Sequence, residues 1–175
     1  KLTDVSETGF DVKRLDSDDY TMYILKSGAG EIAAAAGTQF LITKYGAEFI
    51  INFGVVGGLT PEMSLAKTCV VESVVHYDFD TSTIDNCEVG RYLEYPSIYI
   101  PAPAELVDAA IAAEPSLKRV ICASGDKFVD DPAKKRALHA DFNADICEME
   151  AAAILLTCNR NRIPCLMIKA VSDAI

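Results

Sequence analysis

The chain has no Cys-x-x-Cys pair, no basic surplus, and no apolar run near the roughly 20 residues that span a bilayer. Its 16 Lys and Arg stand against 26 Asp and Glu, a formal charge of −10. That field repels nucleic acid and anionic membrane surfaces, so neither is an expected partner. A local site can still override it for a small phosphorylated substrate. The six cysteines (Cys69, Cys87, Cys122, Cys147, Cys158 and Cys165) lie mostly in apolar runs, where a free thiol acts as a small hydrophobe. This predicts a reduced, cytoplasmic protein. No basic-then-apolar segment opens the chain, so there is no visible export signal. No G-x-S-x-G elbow exists and His139 sits in the charged stretch AKKRALHADF, which leaves Ser-His-Asp hydrolysis without support. His76, Asp78 and Asp80 alternate in HYDFD and are metal-ligand types. With one histidine and no second cluster they read as a polar strand end or a subunit contact, and no metal or cofactor is expected. The chain begins at Lys1 without a methionine and stops just after an apolar run, so both ends are expected to be cut.

What is present is a foldable chain. Half of its 175 residues are apolar, and a chain of this length buries roughly 70% of its unfolded surface without staples. No repeat or Pro/Gly/Ser linker divides it, and residues 1–175 read as one domain. Strand-like runs at 20–25, 49–53, 68–77, 119–123 and 165–171 alternate with helical patterns at 31–45, 104–113, 132–139 and 148–159. Gly46 is placed to end the first helix and Pro132 to open the third. FIINF at 49–53 is apolar on both faces, as a buried strand would be. Residues 54–61 read as a glycine-rich loop and 78–96 as a long loop. The alternation predicts an α/β fold, a central sheet flanked by helices. In such sheets ligands bind beyond the carboxyl ends of strands.

Four sites on that side carry candidate chemistry. Gly54, Gly57 and Gly58 would let backbone approach a ligand, or simply make a tight turn. Ser27-Gly28-Ala29-Gly30 fits the start of a dinucleotide fingerprint, but the acid it needs, Glu48, precedes the next strand rather than ending it. A helix-opening turn is the favoured reading. Glu148 and Glu150 open a helix; on a regular helix they point about 200° apart and cannot share a pocket. One then suits the helix dipole and the other a ligand, since carboxylates bind sugar hydroxyls strongly. Asp173 ends a buried strand, where a general acid would sit or where an acid merely caps the next turn.

In order, Ser-Gly-Ala-Gly, Ile-Ile-Asn-Phe-Gly-Val-Val-Gly-Gly-Leu, Ser-Gly-Asp-Lys-Phe-Val, Glu-Met-Glu-Ala-Ala-Ala-Ile and Ala-Val-Ser-Asp closely resemble the purine nucleoside phosphorylase/nucleosidase superfamily. Within it the chain is similar to the 5′-methylthioadenosine/S-adenosylhomocysteine nucleosidases, from about Tyr20 to Ile175. The resemblance implies a three-layer fold with a mixed central sheet, and hydrolysis of the N-glycosidic bond of adenosine-type nucleosides. It implies that Asp173, preceded by Ser172, protonates the purine, that Glu150 grips the ribose hydroxyls, and that Met149 packs on the sugar. Phe128 would stack on the base and the backbone of Val129 would read its edge. Gly54, Val55 and Gly57 would lie beneath the ribose. A homodimer or higher oligomer is implied, with no cofactor. Val55 stands where the family usually has Ser or Thr, which leaves a binding module without catalysis as one alternative. Phosphorolysis is another, though an arginine that phosphorylases carry near Asn52 is absent. The family's first strand, its glutamate-rich loop and its last helix would lie outside this chain.

Overall fold

A computed structural model describes residues 1–174; Ile175, where the resemblance ends, lies outside the described residues. The chain opens with three antiparallel strands, β1 (Thr3–Asp4), β2 (Asp11–Asp16) and β3 (Thr21–Lys26). Then follow α1 (Glu31–Tyr45), β4 (Ile50–Gly58), β5 (Thr68–His76), a single turn α2 (Ser82–Asp85) and β6 (Ile100–Pro101). The second half is α3 (Ala104–Ala113), β7 (Lys118–Ser124), α4 (Pro132–Phe142), β8 (Ile146–Glu148), α5 (Ala151–Asn161) and β9 (Cys165–Asp173).

β4 to β9 form one mixed sheet in the order β6-β5-β7-β8-β4-β9. The β4–β9, β5–β7 and β7–β8 pairs are parallel, while β4–β8 and β5–β6 are antiparallel. β5 also pairs with β9 through Thr68–Val70, which curls the sheet back on itself. The fold is thus mixed α/β, a central mixed sheet flanked by helices. The core is aliphatic: Val70, Val71 and Val74 of β5, Val120 of β7, Ile146 of β8 and Met167 of β9 are buried together with Ala151, Ala152 and Leu155 of α5. Among the described residues no helix is long and apolar enough to cross a membrane.

Local chemistry explains the boundaries. α1 stops at Gly46, whose φ of 63° is the left-handed conformation that terminates helices, and whose N–H bonds the carbonyl of Ile42. α4 starts at Pro132 because Asp131 accepts from the Ala133 N–H and proline needs no N–H partner there.

Three expectations need correction. Residues 54–58 are strand, not loop: they stay extended because β9 runs parallel alongside as far as Gly57 and β8 pairs with Gly57 and Gly58. None of Gly54, Gly57 or Gly58 has a positive φ. Their use is the missing Cβ, which at Gly58 would lie 2.0 Å from the Met63 carbonyl oxygen. FIINF is not covered on both faces either. Ile50 is buried while Ile51 and Phe53 are exposed, because no described element packs on that side of β4. Finally, 148–150 is not helix; β8 carries Glu148 and the helix begins at Ala151.

Candidate active site

Four chain segments converge at the carboxyl ends of β4 and β9. β4 delivers Val55, Val56 and Gly57, and β9 delivers Ser172 and Asp173. The junction of β8 with α5 delivers Glu148, Met149 and Glu150. The loop after β7 closes one wall with Lys127, Phe128 and Val129. Eight of the nine residues that the family resemblance assigns to the site therefore line one cleft. Gly54 does not; it sits deeper in β4, opposite Lys169 of β9. The cleft is open, since Phe128 is 75% and Val55 68% exposed.

Asp173 is held by two donors. Its Oδ1 accepts from the Ser172 hydroxyl at 3.0 Å, and its Oδ2 accepts from Lys135 Nζ at 2.5 Å. Lys135 comes from α4 and is 2% exposed, against 38% for the Asp173 side chain. A buried ammonium is tolerated only with such a partner. Gly57 makes room for the pair, because a Cβ there would lie 3.2 Å from Asp173 Oδ2 and 3.4 Å from Lys135 Nζ. Ser172 also donates to the Val56 carbonyl at 3.4 Å.

The two glutamates divide the work in an unexpected geometry. Both line the cleft, because neither belongs to a regular helical turn. Glu148 ends β8, and its carboxylate accepts from the N–H groups of Glu150 and Ala151, three contacts of 2.9 to 3.0 Å. It thereby satisfies the first orphan donors of α5 and suits the helix dipole. Its Oε2 also accepts from Lys169 Nζ at 3.1 Å, both side chains being buried. Burial alone would push the Lys169 ammonium down, but the Glu148 charge overrides this and holds it above its usual value. Glu150 is the helix N-cap, and its Oε1 accepts from the Gly30 N–H at 2.7 Å. Among the described residues its other oxygen has no such backbone anchor.

The Gly-x-Gly turn before α1 thus has a use that its fingerprint does not suggest. At Gly30 the φ is 95°, which presents the N–H to Glu150. The next residue, Glu31, is buried and accepts from Ser124 Oγ and from the Ala153 N–H, each at 2.6 Å. Burial pushes the Glu31 carboxyl up to about 7, more than these two hydrogen bonds pull it down. The HYDFD residues part ways. His76 Nδ1 contacts the Tyr92 hydroxyl at 2.8 Å and its Nε2 faces Asp78 Oδ1 at 3.2 Å, while Asp80 caps the turn at Ser82. Burial lowers the His76 pKa.

The profile of the phosphorylase superfamily matches residues 5–175. The chain belongs to the phosphorylase superfamily. A curated superfamily relative, the 5′-methylthioadenosine/S-adenosylhomocysteine nucleosidase of Shewanella putrefaciens, is 34% identical over 157 residues. That alignment covers 86% of this chain and 67% of the relative. For the Shewanella oneidensis enzyme of the same name the identity is again 34%, and the shares are 86% and 65%. The chain therefore spans about two thirds of the length of these relatives. Among solved structures, the nucleosidase of the same name from Campylobacter jejuni superposes with a TM-score of 0.89 at 27% identity, covering 99% of this chain and 77% of that one. A futalosine hydrolase of Helicobacter pylori reaches the same TM-score at 24% identity, with 98% and 77% covered, which speaks for the fold alone.

Lys135, Lys169 and Glu31 were not anticipated. Two had a faint signal. Lys169 alternates with Met167 and Val171 on the buried face of β9, and Lys135 lies three residues before Leu138 on the buried stripe of α4. A charge at an apolar position of either period implies a buried partner. Glu31 had no such signal.

Proposed function

We propose that the protein is a purine nucleosidase that hydrolyses the N-glycosidic bond of adenosine-type nucleosides, with 5′-methylthioadenosine or S-adenosylhomocysteine as substrate. The observation that carries this reading is the convergence of Asp173, Glu150 and Phe128 on one open cleft in a chain of this family. Breaking the bond leaves positive charge on the ribose and negative charge on the departing purine. Asp173, carrying a proton in the substrate complex, donates it to the departing purine, and the Lys135 ammonium then faces the carboxylate that remains; water adds to C1′ of the ribosyl cation and releases a proton to solvent. Glu150 accepts from the ribose hydroxyls, oriented by the Gly30 N–H on its other oxygen. Phe128, exposed at the cleft edge, offers its face to the base, Val129 its backbone to the base edge, and Met149 its thioether to the sugar. Ser172 holds Asp173, while Val55 and Gly57 form the floor. Residues 1–175 act as one domain in this reading. A homodimer whose second subunit closes the open 5′ end completes it. The six free cysteines, five of them buried, accord with a cytoplasmic enzyme of methionine salvage.

Purified protein given 5′-methylthioadenosine in phosphate-free buffer is expected to release adenine and a free thiosugar. A rate that depends on phosphate, with a sugar phosphate as product, would make it a phosphorylase. Tight nucleoside binding without adenine release would make it a binding module.

Glu150→Gln separates the sugar clamp from a helix-end acid. Hydrogen bonds to a charged acceptor are worth about 1.5–3 kcal/mol each, so kcat/KM is expected to fall by about 10- to 100-fold. The loss should appear partly in kcat, because the bonds strengthen as the ribose becomes cationic. Unchanged kinetics in a folded variant would remove Glu150 from the site.

A further inference from the structure

Gly30 and Glu31 lie outside the cleft yet bond to two of the segments behind its wall, the β8–α5 junction and the stretch after β7. The Gly30 N–H holds Glu150 Oε1 at 2.7 Å. The Glu31 N–H donates to Asp126 Oδ1 at 2.8 Å, in the loop that leads to Phe128. The Glu31 carboxyl receives the Ala153 N–H in the first turn of α5 and the hydroxyl of Ser124 at the end of β7. Ser124 Oγ in turn accepts from the Ala152 N–H at 3.0 Å. One buried carboxyl therefore ties together the starts of α1 and α5 and the end of β7.

We propose that Glu31 is a positioning residue for the nucleoside site, fixing Glu150 and the Phe128 loop in a common frame by clamping Ser124 and the first turn of α5. The proposal rests on the nucleosidase reading for its substrate but not for its geometry. The tie is also sensitive to pH. Burial raises the Glu31 carboxyl to about 7 from an ordinary 4.5, and the charges of Glu148 and Asp126 push the same way. The groups facing it are Glu148 at the end of β8, Asp126 after β7, Glu150 at the α5 cap and Tyr92 in the loop after β5, with Lys169 of β9 behind Glu148. A carboxyl whose folded value lies above its open value binds its proton more tightly when the tie is closed. Closure is then favoured most below about pH 4.5 and weakens as pH rises through about 7.

Amide hydrogen exchange reads this without substrate. Corrected for intrinsic rates, protection of Gly30 and Ala153 in the wild-type protein is expected to fall roughly tenfold or more between pH 5 and 8. Protection in the middle of β5 should not follow that profile. Glu31→Gln keeps an acceptor for Ala153 and meets Ser124 with an NH2 that reverses the direction of that bond, but it cannot ionise, so its profile should be flat. In Glu31→Ala both protections should drop at every pH, and KM for 5′-methylthioadenosine should rise roughly tenfold with a smaller change in kcat; Glu31→Gln should recover most of that KM. A wild-type slope that persists in Glu31→Gln overturns the proposal. So does protection of Gly30 and Ala153 that Glu31→Ala leaves unchanged. If Glu31→Ala does not fold, the Glu31→Gln profile decides alone. A wild-type protein that releases no adenine sinks the nucleosidase reading, while the exchange profiles still decide the role of Glu31.

Discussion

Asp173→Asn is expected to lower kcat by about 10²–10⁴-fold, the usual worth of general acid catalysis, while nucleoside affinity stays within about threefold. The amide keeps the shape of the side chain. Its oxygen can still accept from Lys135 and its NH2 can still donate to a purine nitrogen, so the ground-state contact survives. What disappears is the proton that must travel with the leaving base, and the cost therefore falls on kcat rather than on KM. The variant also leaves the Lys135 ammonium, 2% exposed, without a counter-charge, and an unpaired buried charge destabilises. Turnover should be compared well below the melting temperature, and Asp173→Asn/Lys135→Met should recover part of the lost stability without recovering turnover. Near-normal kcat in a folded Asp173→Asn would take this residue out of the mechanism.

The parts of this structure that were readable in advance are those whose signals are local. α1 could be placed from Glu31 to its terminating Gly46 because an alanine-rich run meets a residue free to adopt φ 63°. β5, β7, β9 and α3 lie within a residue or two of their expected spans because each is an apolar run bounded by polar or proline residues. β8 was invisible: three residues are too short to show a period, and Glu148 was absorbed into the helical pattern that follows. Glu148 and Glu150 share the cleft because the 200° separation holds only on a regular helix, and α5 begins after both. The strand at 54–58 was hidden for another reason. Glycine signals a turn in isolation, yet here β8 and β9 supply the pairing that holds it extended. The hairpin strands β1 and β2 alternate weakly and remain mostly exposed, so no clean pattern marks them. Cleft residues carried by contiguous motifs were found, and the partners that distant helices supply behind the cleft were not. Lys135 meets Asp173 across 38 residues, and Glu31 meets Ala153 across 122. Only the fold brings such pairs together.

The largest loss of stability is expected from Lys169→Met. Lys169 and Glu148 are 2% and 3% exposed, with Nζ and Oε2 at 3.1 Å. Removing one partner of a buried pair costs about 3–5 kcal/mol, mostly because the other charge stays behind uncompensated. Glu148 cannot escape to solvent by a rotamer change without releasing the N–H groups of Glu150 and Ala151. The cost is thus forced onto either the buried charge or the first turn of α5. Methionine fills the aliphatic volume of lysine, so a cavity contributes little. Glu148→Gln should also destabilise, by leaving the Lys169 ammonium opposite an amide and weakening the cap. Combining the two should cost clearly less than the sum of the single losses, because the double variant strands no charge. Urea unfolding at neutral pH measures all three. A loss under about 1 kcal/mol for Lys169→Met, or strict additivity in the cycle, would mean that the pair does not act as a buried unit. The pair also bears on the chemistry, because Glu148 fixes the turn from which Glu150 reaches the cleft. Folded Lys169→Met should therefore show a raised KM for nucleoside even though Lys169 is not among the residues of the cleft wall.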